Sequence, residues 1–533
     1  MPTPTPSQIP PPPAFGFDPA HFPTWRPGQD DALLRVIDSK KRISVECLPT
    51  GSGKSLLGRA ASQLTGMRTV VLTRRKGLQS QMVKDFGTKP GIHDVRGQSS
   101  YPCIYSPSVS VELGPCHAGM ACHYREMGCH YYDAVKEARD PTTPVTVTNY
   151  AFWFMQAKRN QGLGKIDLLI CDEAHGILDE LSNFLTIEIA RFEAERLGLT
   201  WPEHYGNNLQ LWSDWAKKAA APAVEKALEE AKEQGKAGAT SPAQVRERRR
   251  LESMVERIGS LSDAKGRWAC DLSQRGGTLR AAPVWPGEYL EKYLWQGTTK
   301  ILLMSATIRP KLLTMLGIRE SEFDYNEVQS SFPLQNRLVH CVDAPRMNHR
   351  TSEGEQGIWL DRVDQILGKR LDRKVLLHTG SYERRNFFMV NSRYAGYMIG
   401  HTREDLEEVI YRFKVSPPPL ILVSQSLTEG FDFPYDECET QIITKIPYPD
   451  SRDSIVVARQ KDDKDYTSYV AMQQMVQSAG RAVRAADDFA ETFIVDGNTK
   501  WFMRRNAQFA PAWFNQAVRH VPMVPEPAKK IVR

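Results

Sequence analysis

Pro49-Thr50-Gly51-Ser52-Gly53-Lys54-Ser55 combines two glycines, a lysine and a terminal hydroxyl at the spacing of a phosphate-binding loop. Glycines let backbone N–H groups close on phosphate oxygens, the Lys54 ammonium supplies charge to the outer phosphates, and the Ser55 hydroxyl is a ligand for Mg²⁺. Leu48 stands where such loops usually carry Gly or Ala, a slight irregularity. Downstream, Asp172-Glu173-Ala174-His175 offers two adjacent carboxylates. Alone they read as a solvated turn or helix cap. Joined to the lysine loop they make a nucleoside-triphosphatase site, with Asp172 holding Mg²⁺ and Glu173 polarising the attacking water.

Such residues need a rigid sheet beneath them. Short β-branched and aliphatic runs at Ile43–Cys47, Thr69–Leu72, Ile166–Cys171 and Ile301–Met304 read as buried parallel strands. A second set follows at Lys374–His378, Leu420–Val423, Gln441–Thr444 and Thr492–Val495, so the sequence predicts two α/β domains in tandem. The phosphate loop follows one strand and precedes the helix-compatible Leu56–Leu64, and Asp172 stands at the carboxyl end of another. Two stretches interrupt the first set: Arg96 to Pro144 holds a cysteine cluster, and Gly176 to Thr298 is rich in Ala, Glu, Lys and Arg at helical spacing. Within the second, Gly235–Thr240 reads as a loop, and Ser241, Pro242 and Gln244 as a helix start.

The 533 residues exceed what one core holds, and 41% apolar with 25% charged residues is ordinary for a globular chain. A net charge of +6 is compatible with a polyanionic partner but does not require one. Apolar runs fall far short of the roughly 18 residues that span a bilayer, which excludes a membrane segment. The proline-rich start, Met1–Pro13, lacks the order of a secretory signal and reads as a mobile tail of a cytoplasmic protein.

Cys103, Cys116, Cys122 and Cys129 are separated by twelve, five and six residues. Four thiolates hold either a [4Fe-4S] cluster or one Zn²⁺. The absence of a C-x-x-C pair favours the cluster, while His117, His123 and His130 keep zinc open. A groove that tracks a single strand needs cations for phosphates and flat rings for bases. The candidates are Thr73, Arg74, Arg75 and Lys76, Tyr101 and Tyr150, and Ser381 and Tyr382, although the Arg74–Lys76 run also reads as a solvated turn. Arg246, Arg248, Arg249 and Arg250 read as an exposed helix face.

Ser305-Ala306-Thr307, Glu429-Gly430-Phe431-Asp432 and Gln477-Ser478-Ala479-Gly480-Arg481-Ala482-Val483-Arg484 follow in an order that resembles the motor motifs of superfamily 2 helicases. The cysteine window, from Tyr101-Pro102-Cys103 to Val147-Thr148-Asn149-Tyr150, with Lys445-Ile446-Pro447-Tyr448-Pro449 later, resembles the XPD/DinG family of iron-sulfur DNA helicases. That resemblance implies two RecA-like domains, with a four-cysteine iron-sulfur domain and a helical arch domain inserted in the first. The expected division is a flexible tail over 1–24, motor domain 1 over 25–95, 146–176 and 299–345, the iron-sulfur domain over 96–145, the arch over 177–298 and motor domain 2 over 346–533.

The resemblance further implies that Arg481 and Arg484 reach across the domain cleft to the γ-phosphate with Gln477 beside them. Glu429, Gly430 and Asp432 would join the phosphate loop in binding ATP, and Gln29 in Trp25-Arg26-Pro27-Gly28-Gln29 would contact adenine. It implies 5′ to 3′ movement on single-stranded DNA by a monomer acting at duplex junctions or on DNA/RNA hybrids, in a compact bacterial or phage member. An RNA helicase of Asp-Glu-Ala-His type and a DNA-binding module with a vestigial motor are the alternatives.

Overall fold

The computed structural model describes residues 9–528 apart from 87–90, 119–120, 237–241, 274–276, 349 and 426–430. Strands rich in Val, Ile and Leu, buried on both faces, settle into parallel sheets covered by helices on each side. The first sheet comprises β1 (Ile43–Cys47), β2 (Thr69–Thr73), β3 (His93–Asp94), β4 (Val145–Asn149), β5 (Leu168–Cys171), β9 (Lys300–Ser305) and β10 (Phe323–Glu327), in the order β10-β1-β9-β5-β2-β4-β3. All its pairings are parallel. The four runs expected from the sequence all lie in it. The alternating Val and Thr of β4 conceal it from a search for apolar runs, yet it is buried because its hydroxyls find partners: Thr148 Oγ1 donates to Val95 O at 2.8 Å.

The second parallel sheet has the order β13-β14-β12-β15-β16-β11-β17. Its strands are β11 (Val339–Val342), β12 (Val375–His378), β13 (Met398–Gly400), β14 (Ile421–Ser424), β15 (Thr440–Ile443), β16 (Glu491–Val495) and β17 (Val518–Val521). Because β11 pairs with β16 and β17, the chain enters the second domain before residue 339, not after residue 345 as expected. These are two RecA-like parallel-sheet domains.

The insertion between β5 and β9 is not purely helical. Its helices Ala221–Lys236 and Pro242–Ser262 pack on an antiparallel sheet of β6 (Ile187–Ala190), β8 (Thr278–Pro283) and β7 (Trp268–Leu272) around Trp201, Trp212 and Trp215. Helix Ile177–Leu185, assigned to this insertion by the expected boundary, instead buries Ile177, Leu178 and Leu181 in the first domain's core. Helix Ala221–Lys236 also runs into the expected Gly235 loop, while 237–241, with the Ser241 cap, lie outside the described residues.

The supposedly flexible start is held from Ile9 onward. Ile9 and Phe17 are buried, Trp25 Nε1 donates to Pro10 O at 2.8 Å, and Phe22 stacks on Phe86 with ring centroids 5.4 Å apart. Aromatic burial of this size outweighs the ordering entropy of a short proline-rich segment, whose backbone freedom is already restricted.

Candidate active site

Strands β1, β9 and β5 are neighbours, so the phosphate loop, Ser305-Ala306-Thr307 and the Asp172-Glu173 pair emerge side by side at one sheet edge. Lys54 opens helix Lys54–Thr65, and Gly51 and Gly53 adopt φ of 75° and 79°. A Cβ on Gly51 would lie 2.5 Å from the Phe332 ring and 2.6 Å from Arg484 O, so the second domain leans directly on this glycine. Gln29 is buried, donates to Ser52 O at 2.6 Å and Gly53 O at 3.1 Å, and accepts from Arg26 N at 2.7 Å. Its carboxamide therefore braces the loop, and these hydrogen bonds are all internal to the protein. Ser52 Oγ is buried without a hydrogen-bond partner among the described residues, as suits a loop shaped for an anion.

Asp172 is buried at the end of β5 and its Oδ1 accepts from Glu173 N at 2.9 Å. Burial, reinforced by the neighbouring Glu173 charge, pushes its carboxyl above the usual carboxylate range. Burial opposes ionisation of Glu173 too, but Lys54, His175 and Arg481 outweigh it and hold that carboxyl well below its usual range. A desolvated acid beside an ionised one, facing a lysine, suits a site completed by a divalent cation. Glu173 is itself turned by a left-handed backbone, φ 49°.

From these acids a polar chain crosses to the second domain. His175 Nδ1 lies 3.2 Å from Glu173 Oε2 and 2.7 Å from Ser305 Oγ. Ser305 Oγ lies 3.5 Å from Thr307 Oγ1, which accepts from Gln477 Nε2 at 3.1 Å. Gln477 is on helix Tyr466–Ala479, and just beyond that helix Arg481 donates to Phe431 O at 3.3 Å while Arg484 pairs with Asp432. Thr50, Lys54, Glu173, Gln477, Arg481 and Arg484 share one cleft of ≈ 650 Å³. Glu429 and Gly430 lie outside the described residues. Thr307, in the Ser305-Ala306-Thr307 triplet, lines the same cleft, a role that residue type alone does not reveal.

Three of the proposed strand contacts do not survive the fold. Thr73 is buried and its hydroxyl donates within the loop to Arg75 O at 3.3 Å. Tyr150 is 1% exposed and its hydroxyl donates to Asp172 O at 3.1 Å, so it supports the acidic motif from the core. Arg74 donates to Glu180 at 2.9 Å and lies 3.2 Å from His175 Nε2, which ties it to the Asp172-Glu173-Ala174-His175 segment. Arg75 and Lys76 are exposed beside the cleft. Tyr101 is half-buried and accepts from Arg96 N at 3.1 Å. Ser381 caps the following helix by accepting from Arg384 N at 3.2 Å, and Tyr382 is exposed, with the Arg385 guanidinium 5.0 Å from its ring.

The four cysteines of the first insertion converge. A Cβ on Gly114 would lie 3.2 Å from Cys103 Sγ and 3.7 Å from Cys116 Sγ. Burial first, then the proximity of Cys122, Cys103 and Cys129, raises the Cys116 thiol above its ordinary value. Among the described residues no group of three or more His, Cys, Asp or Glu is arranged to hold a metal ion. The arginine run is not a free helix face: Arg249 donates to Gln98 at 3.3 Å and lies 3.5 Å from Glu112, docking helix Pro242–Ser262 on the cysteine insertion.

Family models place these features among known proteins. Residues 369–517 match the helicase C-terminal domain, and residues 22–200 match the type III restriction enzyme res subunit. A curated protein of Bacillus subtilis strain 168, the 3′-5′ exonuclease DinG, is 23% identical over 268 residues. These matches support an XPD/DinG-type superfamily 2 helicase. The DinG match takes in 45% of this chain and 27% of that protein, so the chain spans about a quarter of its relative's length. A solved XPD helicase has a similar fold, with a TM-score of 0.61 at 16% identity, covering 93% of this chain and 98% of that one. Xpd4 of S. tokodaii gives 0.59 at 15% identity, covering 93% and 100%. Among the described residues, no helix is long and apolar enough to cross a membrane.

Proposed function

We propose that this chain hydrolyses ATP to translocate on single-stranded DNA from 5′ to 3′ and to separate duplex DNA or DNA/RNA hybrid at a junction. The observation that carries this reading is the shared cleft, in which Lys54 and Glu173 of the first domain face Gln477, Arg481 and Arg484 of the second, with Asp172 buried beside Glu173. Residues Pro49 to Ser55 bind the phosphates, Arg481 and Arg484 neutralise charge on the transferred phosphoryl group, and Glu173 orients the attacking water. Mg²⁺ held by Ser55 and Asp172 would supply further positive charge to the phosphate oxygens. Closure around ATP and reopening after hydrolysis alternate two grips on one strand.

The first insertion is read as an iron-sulfur domain with Cys103, Cys116, Cys122 and Cys129 as ligands, which their convergence supports. The second is read as an arch, and its docking on the cysteine insertion supports a shared passage for the strand. Arg75, Lys76, Tyr101, Ser381 and Tyr382 remain the proposed strand contacts. The test is unwinding of a short duplex bearing a 5′ or a 3′ single-stranded tail, with Lys54→Ala as the blank. Unwinding from the 5′ tail alone is expected. Unwinding from the 3′ tail overturns the polarity, and unwinding of RNA duplexes alone overturns the substrate.

A further inference from the structure

Helix Ser454–Asp462 of the second domain lies on the sheet of the second insertion and is fastened to it along its length. At its start, Asp453 caps the helix by accepting from Ile455 N at 2.8 Å and also receives Arg280 of β8 at 2.8 Å. One turn apart, Ile455 and Ala458 pack with Ala269, Ala282 and Val284. At its end, Asp462 pairs with Arg267 and accepts from Trp285 Nε1 at 2.9 Å.

At the centre stands Arg459, 3% exposed. Its Nε donates to Val284 O at 2.7 Å, its Nη2 to Ser182 Oγ at 2.6 Å and its Nη1 to Tyr466 Oη at 3.2 Å. The guanidinium also lies over the rings of Trp285 and Tyr466, at 5.4 and 5.6 Å from their centroids. Its three partners belong to three bodies. Val284 follows β8 of the insertion. Ser182 lies on the helix that follows Asp172-Glu173-Ala174-His175. Tyr466 opens the helix that carries Gln477 and leads to Arg481.

A buried cation hydrogen-bonded to three segments cannot stay satisfied if one segment moves independently of the others. The contacts to the insertion are the more numerous, with ion pairs at both ends and an apolar patch between. Rotation of the second domain against the first therefore carries the sheet of the insertion with it and loads the bond to Ser182.

Resting on the ATP-driven reading above, we propose that helix Ser454–Asp462 transmits the nucleotide-dependent movement of the second domain to the second insertion, with Arg459 as the coupling residue between hydrolysis and strand separation. Arg459 is a positioning residue and touches none of the groups in the nucleotide cleft.

The test measures DNA-stimulated ATP turnover and base pairs separated per ATP for the full chain and for Arg459→Ala, Arg459→Lys, Arg267→Glu and the charge swap Arg267→Glu/Asp462→Arg. Arg459→Ala and Arg267→Glu are expected to keep most of the turnover while separating about 5- to 10-fold fewer base pairs per ATP. Arg459→Lys and the charge swap are expected to recover part of that loss. Should Arg459→Ala not fold, the Arg267→Glu and swap pair decides. An unchanged yield per ATP in the variants, or turnover and yield falling in parallel without recovery in the swap, overturns the coupling role. A natural chain that hydrolyses no ATP or separates no strands overturns the motor reading itself, before any variant is compared.

Discussion

Gln477 Nε2 donates to Thr307 Oγ1 at 3.1 Å across the cleft, linking the helix that leads to Arg481 and Arg484 in one domain to the loop after β9 of the other. Through Ser305 and His175 this bond continues to Glu173, so the position of the second domain and the setting of Glu173 are physically joined. Thr307→Val or Gln477→Ala removes one neutral hydrogen bond of about 1 kcal/mol and is expected to slow DNA-stimulated ATP turnover about fivefold. The double variant is expected to lose no more than either single one. Additive losses in steady-state turnover would show that the two side chains act separately.

Arg74 belongs to the same network. Removing it frees His175 and Glu180 from their shared partner, so Arg74→Ala is expected to reduce ATP turnover about tenfold by misplacing Glu173. Single-stranded DNA affinity, read by fluorescence anisotropy, is expected to change less than about twofold. The reverse pattern would return Arg74 to the strand-gripping groove.

Glu46 in β1 is buried, accepts from Asn326 Nδ2 at 2.7 Å and feels Arg35, yet burial pushes its carboxyl up to about 7. With the folded value above the unfolded one, the folded state holds the extra proton. Stability is therefore lost as pH rises from the unfolded value near 4.5 through about 7, by roughly 3 kcal/mol in all. Glu46→Gln is expected to raise Tm at pH 8 and to leave it nearly unchanged at pH 4.5. A Tm gain that is equal at both pH values would show that the fold does not raise the Glu46 carboxyl above its unfolded value.

Anaerobic purification is expected to yield iron and acid-labile sulfide in equal amounts, and Cys103→Ser or Cys129→Ser to lose both. Stoichiometric zinc with no iron would replace the cluster by a single-ion site.

The nucleotide motifs were legible because each is a short local pattern following an apolar run. Strand β1, expected at Ile43–Cys47, is found there because five consecutive buried residues leave no other period to choose. Strand β11 was not legible, since Val339-His340-Cys341-Val342 looks no different from a loop until β16 and β17 supply its partners. The same holds for the proline-rich start, whose order depends on Phe86, over sixty residues downstream, being available to stack on Phe22.

By itself the sequence determined the two parallel sheets, the order of the motifs and the four-cysteine window, because local residue types and spacing carry that information. Tertiary structure alone decided which polar groups meet. Arg74 and Tyr150 have the right chemistry to hold DNA, but the fold turns one to His175 and Glu180 and buries the other against Asp172. Arg459 has no motif around it, and its role arises only because three segments distant in sequence present an indole ring and three oxygens to one guanidinium. A charged group in a core takes its function from what desolvates it and what it bonds, and both are set by packing.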